Sequence, residues 1–182
     1  MEILAKKIVD RWVSQGLVDK SLAEWCAYGL LRRLTTVVTL SIVVILGALF
    51  SNLGRALLFS LSLMYLRAFT NGHHSKTYWG CLFNSCLIEI LGVLICEYLK
   101  PIVSLILACG SAIIILKIAP LNNKQIHFSK EELSAVRAVC QKRLVIILAL
   151  YVVLLWIVPV GAYCIALALG ADAFLLMIAE KE

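Results

Sequence analysis

No two of the seven cysteines in this chain are spaced as CxxC, and seven is an odd number to pair. Five of them (Cys81, Cys86, Cys96, Cys109 and Cys164) fall in or at the ends of apolar runs, where cysteine acts as a small hydrophobe. A disulfide framework is therefore not expected. Low-complexity tracts and internal repeats are also missing, and a single domain over 1–182 is the expectation. The opening MEILAKKIVDRWV interleaves charged and apolar residues, which is not the pattern of a cleavable signal peptide. Least present of all is soluble character. Of the 182 residues 62% are apolar, where a soluble domain runs at roughly 45–50% even counting glycine. Lipid is the expected solvent, and the class is an all-α, polytopic integral membrane protein.

Uninterrupted apolar stretches lie near 36–52, 54–66, 81–99, 102–119, 143–158 and 160–179, so about six transmembrane helices are expected over 36–179. A helix crossing hydrocarbon needs about 20 residues. The run ALLFSLSLMYL, between Arg55 and Arg67, is short. It crosses if both arginines snorkel to opposite interfaces. With the N-terminus inside, fifteen of the 17 lysines and arginines lie on the cytoplasmic side, leaving only Arg55 and Lys100 outside. That asymmetry obeys the positive-inside rule and assigns both termini and the loops 67–80 and 120–142 to the cytoplasm.

Residues 1–35 read as interfacial amphipathic helices. Ile3, Leu4, Ile8, Trp12 and Val13 recur at helical spacing, with Lys6, Lys7, Asp10, Arg11 and Ser14 on the other face. Ser21-x-x-Glu24 has capping-box spacing and predicts a second short helix from near Leu22. An anchoring hairpin with no recognition role accounts for the same pattern.

The polar stretch RAFTNGHHSKTYWGC, residues 67–81, interrupts the apolar sequence. Cys81 stands where the run CLFNSCLIEILGVLICEYL begins, so it belongs in the first turn of a helix, where free N–H groups and the dipole favour a thiolate. Lys76 and the histidines add positive potential, which also favours the thiolate. His74, seven residues earlier, is a candidate to take the thiol proton and return one to a leaving amine. Gly72 opens backbone conformations closed to other residues and can aim His74 or an N–H towards a developing oxyanion. Arg67 is a candidate to bind a substrate carboxylate. Asn84 and Ser85, at i+3 and i+4 from Cys81, share its helix face and can orient the site. No carboxylate occurs from 67 to 88, so an acidic third member is not available locally. Glu89 lies well inside an apolar run, where an ionisable residue serves a function or a hydrogen bond to a neighbouring helix. A solvated interfacial loop explains the same residues without chemistry, and the residues alone leave both readings open.

These residues form a pattern. Arg67, Asn71, Gly72 and His74, followed seven residues on by Cys81, resemble the R-x-x-x-G-G-x-H…Cys motif of the accessory gene regulator B (AgrB-like) family of bacterial membrane endopeptidases. Asn71 replaces the first glycine, and asparagine tolerates left-handed backbone better than most residues. APLNNKQI at 119–126 is similar to the family's AP-x-x-x-x-N-K-P-I segment, with shorter spacing and Gln125 in the place of proline. Tyr28-Gly29-Leu30 is a weaker third match. All three fall in the family's order, and the resemblance covers nearly the whole chain.

The resemblance implies a quorum-sensing role in the bacterial cell membrane. The substrate would be an AgrD-like propeptide with an amphipathic leader and an acidic tail. Cys81 would be the nucleophile and His74 the general base and acid, with Arg67 and Lys76 towards the substrate and Asn71 and Gly72 supporting the loop. A thioester on Cys81 would then pass to a propeptide thiol or hydroxyl, closing a thiolactone or lactone. A homodimer is implied as well. No metal and no cofactor are called for. The basic inner surface also meets anionic lipid, while nucleic-acid binding is not expected of charge spread along a membrane face. Two other classes compete. One is a small transporter or channel component, although no spans are interrupted by paired Gly/Pro in two halves. The other is a metal or acyl-transfer site on His73, His74, Cys81 and Cys86, whose spacing does not suit common zinc sites.

Overall fold

The structure, a computed structural model, describes residues 2–70, 78–121 and 129–181; the side chains of 2, 32, 78, 81 and 130 lie outside that description. The described residues are helical throughout, with no strand. The helices are α1 (Glu2–Ser14), α2 (Ala23–Phe50), α3 (Leu53–Thr70), α4 (Tyr78–Ile95), α5 (Pro101–Ile118), α6 (Lys130–Ile157) and α7 (Pro159–Glu180). In hydrocarbon every backbone polar group must be satisfied within its own segment, and helices do this one chain at a time. An all-α polytopic membrane protein is the result.

Six long helices stand where the six apolar runs lie. Four of them, α2, α5, α6 and α7, are long and apolar enough to cross a bilayer. The remaining two fall short for local reasons: α3 carries Arg55 and Arg67, and the described apolar part of α4 is Leu82–Ile95. Both arginines have company. Arg55 forms an ion pair with Glu97 and donates to Ser51 Oγ at 3.1 Å. Glu97 thus holds an arginine at a helix end. Helix α3 runs on past Arg67 to Thr70, further than its apolar run. Residues 130–142, expected as loop, are the first half of α6. They extend the helix because Ser129 and Glu132 close a capping box: Ser129 Oγ accepts from Glu132 N at 3.2 Å, and Glu132 Oε2 accepts from Ser129 N at 2.9 Å.

Two compact units divide the chain, residues 1–42 and 43–182. In the first, α1 forms over the expected residues but buries a different stripe. Ala5 and Val9 are buried, Ile8, Trp12 and Val13 half-buried, and Ile3 and Leu4 exposed. Small Ala5 sets the buried face. Lys6 and Asp10 of α1 and Glu24 and Tyr28 of α2 line a groove of about 370 Å³. The expected capping box at Ser21 does not form. Asp19 is the cap, and its Oδ1 accepts from both the N–H and the Oγ of Ser21 at 2.9 Å. Ser21 is the donor, and α2 then continues unbroken for 28 residues instead of stopping as a short helix.

The Ser21 hydrogen bonds favour the charged Asp19 carboxylate and hold it below its ordinary 3.8. A lowered folded-state value makes the cap fully effective above 3.8 and removes it only as pH falls through the lowered value. Amide protection at Ser21, corrected for intrinsic exchange, should therefore stay flat from neutrality to 3.8 and fall below it. Asp19→Asn should show no such step.

The second unit is built around α7. Just over half of its apolar window (56%) is buried, against 17–28% in the other three crossing helices, so α7 is the inner helix. It packs against α3, α5 and α6. Its buried side is made of small residues, Gly161, Ala162, Cys164, Ala166, Ala168 and Ala173, interspersed with Ile165, Leu169 and Leu176. Small residues let helix backbones approach where lipid tails remove any hydrophobic drive between helices. Many of the larger apolar side chains of α5 and α6, Ile106 and Trp156 among them, are exposed, as expected of lipid-facing surface. Inside, Ser104 Oγ and Tyr151 Oη share a hydrogen bond at 3.1 Å. Glu89, on α4, is buried, and its Oε2 accepts from Ser60 Oγ of α3 at 2.7 Å. Of the two roles the sequence allows it, the hydrogen bond to a neighbouring helix is present.

Candidate functional site

Of the residues singled out in the sequence, the described ones nearest the motif are Arg67 at the end of α3 and Cys81, Asn84 and Ser85 in the first turns of α4. Arg67 occupies the last turn of α3 and is half-buried. Thr70 ends that helix and is buried. Cys81 is in the first turn of α4, which starts at Tyr78, as its place in the apolar run predicts. One turn further, Asn84 is exposed and Ser85 half-buried. Asn71, Gly72, His73, His74 and Lys76, and the side chain of Cys81, lie outside the described residues, as do 122–126 of the second motif. Among the described residues no three His, Cys, Asp or Glu side chains are grouped as metal ligands would be. The six described cysteines, Cys26, Cys86, Cys96, Cys109, Cys140 and Cys164, are free thiols.

A main-chain hydrogen bond joins the two motif segments. Leu121 N donates to Thr70 O at 3.2 Å. Thr70 is the residue before 71–77, and Leu121, reached through the cis Ala119–Pro120 bond, is the residue before 122–128. Segments some 50 residues apart in sequence thus start within one hydrogen bond of each other.

Two further helices close this end. From α6, Arg143 donates through Nη1 to Tyr65 O at 2.7 Å, and its guanidinium stacks on the rings of Tyr65 and Phe69 at 4.3 and 4.0 Å. The last turns of α3 are thereby clamped by one planar cation. From α7, Asp172 is buried, and its Oδ1 accepts from Thr70 Oγ1 at 3.1 Å. A buried carboxylate thus meets the end of α3 from 102 residues away. Its signal in the sequence is a lone aspartate inside LALGADAFLL, the same criterion that marks Glu89.

The AgrB family model, accessory gene regulator B, matches residues 2–178. The chain belongs to the accessory gene regulator B family. No curated protein and no solved structure gives a match. Membership in the AgrB family carries a role in processing the quorum-sensing peptide signal, with an AgrD-type propeptide as substrate. The long apolar helices fit the membrane setting of that role. What the fold adds for this AgrB chain is the bond between Thr70 and Leu121, which ties the end of α3 to the residues just after α5.

The clamp makes its own prediction. Arg143→Met removes a charge-assisted hydrogen bond worth about 1.5–3 kcal/mol and two ring contacts of about 0.5–1 kcal/mol each. Lys142→Met, one residue earlier on an exposed position, removes none of these. In detergent, thermal unfolding of Arg143→Met should begin well below wild type, with Lys142→Met close to wild type. Equal midpoints for the two variants would show that the clamp contributes nothing.

Proposed function

We propose that this AgrB chain is a cysteine endopeptidase that cuts the C-terminal tail from its propeptide and promotes closure of the remaining fragment into a ring. The observation that carries the reading is the Leu121–Thr70 hydrogen bond: it joins the two segments that resemble the family's motifs, beside the helix whose first turn holds Cys81.

Cys81 is the nucleophile. As a thiolate, favoured by the N-terminus of α4, it attacks the carbonyl at the junction of ring and tail. The C–N bond breaks, the tail leaves as an amine, and His74 supplies the proton it first took from the thiol. The fragment remains as a thioester on Cys81. A propeptide thiol then attacks that carbonyl, a thiolactone forms and the Cys81 thiol is released; a hydroxyl gives a lactone. Exchange of one thioester for another is nearly neutral in bond energy, whereas condensation of a free acid with a thiol is uphill. Excluding water protects the intermediate. Asn71, Gly72, Asn84 and Ser85 shape the loop and orient the thiol, and Arg67 and Lys76 receive the acidic tail.

In this reading the site faces the cytoplasm of a bacterial cell, α1 lies in the headgroup layer over anionic lipid, and the chain works as a homodimer. The thioester gives the test. Wild-type protein mixed with a propeptide whose ring nucleophile is replaced by alanine should accumulate a fragment-sized mass on the peptide containing Cys81. Hydroxylamine should remove it. A mass on another cysteine would move the nucleophile, and tail release with no adduct at any time would dismiss the acyl-enzyme route.

A further inference from the structure

Two carboxylates are fully buried in the second unit, and they differ in what surrounds them. Glu89 bonds to Ser60, and its Oε1 lies against Gly47, where an added Cβ would stand 2.8 Å away. No motif residue is involved. Asp172 instead stands at the motif end of α7. One oxygen accepts from the Thr70 hydroxyl, and Oδ2 has no hydrogen-bond partner among the described residues. A carboxylate wholly out of water with one oxygen unsatisfied is costly. Packing gives no reason for it, because its neighbours on α7, Leu169, Ala173 and Leu176, are ordinary apolar core. The contacts of Asp172 are therefore the reason to look at.

Thr70 is held twice. Its hydroxyl is tied to α7 through Asp172, and its carbonyl is tied to Leu121 at the end of α5. It is also the last residue before the segment that bears Asn71, Gly72 and His74.

We infer that Asp172 is a positioning residue of the peptidase site, fixing through the Thr70 hydroxyl the helix end from which the 71–77 segment starts. The inference rests on the assignment of Cys81 and His74 made above. Asp172 touches no reacting atom. It acts by keeping the start of the motif segment in register with α4, where a displacement of about 1 Å can cost 10²-fold in rate.

The test uses the full chain in lipid nanodiscs with its propeptide and the variants Asp172→Asn, Thr70→Val, Thr70→Ser and the double variant Thr70→Val/Asp172→Asn. Turnover is measured per folded molecule, together with amide hydrogen exchange over 67–81. Thr70→Val and Asp172→Asn should each lower kcat about 10–100-fold, with KM within about twofold and faster exchange over 67–81. The double variant should be no worse than the worse single variant, because Asp172→Asn weakens, and Thr70→Val removes, the same link. Thr70→Ser keeps the hydroxyl and should keep the rate. A role in stability alone would lower the melting temperature and leave turnover per folded molecule unchanged. Wild-type turnover and exchange in Thr70→Val overturn the inference, as do additive effects in the double variant. Should Asp172→Asn fail to insert, the Val and Ser pair at residue 70 decides. Cys81→Ala separates the two claims. If it is inactive while Thr70→Val runs at full rate, the anchor falls and the peptidase stands. If Cys81→Ala still cleaves, the peptidase assignment falls, and exchange over 67–81 alone supports or overturns the anchor.

Discussion

Cys81→Ala will insert normally and cleave no detectable propeptide, a loss of 10³-fold or more, and His74→Ala will do the same. The size of the effect follows from what each removes. Without the thiol no acyl-enzyme forms. Without the imidazole the thiol keeps its proton and the amine leaves unprotonated. Groups that act as a unit lose nearly everything when either is removed, so the double variant should be no slower than the singles. Folding should be spared. Residue 81 lies in the first turn of α4, where alanine is a good helix former, and residue 74 falls in the polar stretch between two apolar runs. Cys86→Ala and His73→Ala are the controls and should keep most activity. Co-expression with the propeptide, followed by gel detection of the released tail, reads all five variants. Full cleavage by Cys81→Ala would refute the proposed function, and loss in Cys86→Ala alone would transfer the nucleophile one turn onward.

Cys81 and Asp172 differ in how much of their setting a sequence can carry. Cys81 is legible because its neighbours in sequence are its environment: polarity ends there and an apolar helix begins. Asp172 is not, because its meaning is a bond to Thr70 across 102 residues. A search for an acid between 67 and 88 looks along the chain, whereas the helices bring the acid in from the side. The positions of the six long helices were readable for a similar reason. Hydrocarbon demands long apolar stretches and imposes helix on all of them. Helix ends were not, since they depend on which of several polar groups captures a free N–H. Ser21 and Ser129 both precede a glutamate by three residues. Only Ser129 caps, because Asp19 stands two residues before Ser21 and engages both its amide and its hydroxyl. Arg55 shortened the apparent second apolar run for a related reason: a charge reads as an end until its partner, here Glu97, is seen.

Gly92→Ala should cause the largest loss of stability from a single methyl group. On α4, a Cβ at residue 92 would lie 2.3 Å from Cε2, 2.5 Å from Cζ and 2.9 Å from Cδ2 of the Phe59 ring. Phe59 is itself buried, so the ring cannot swing into open space. Alanine favours a helix over glycine by about 1 kcal/mol, while overpacking a tight core costs about 1–3 kcal/mol, occasionally more. Three contacts below 3.0 Å on one rigid ring put this site at the upper end, and the clash wins. Gly110→Ala supplies the opposite sign: nothing lies within 4 Å of its Cβ position, so only the propensity gain remains and stability should rise slightly. Phe59→Leu in the Gly92→Ala background should recover most of the loss, and the non-additivity of that pair measures the contact. The consequence reaches the site, because Phe59 and Gly92 set the spacing of α3, which ends at Thr70, against α4, which begins just before Cys81. Cleavage per folded molecule should therefore fall in Gly92→Ala and return with Phe59→Leu. A Gly92→Ala protein that melts with wild type would mean that α3 and α4 are not packed as described.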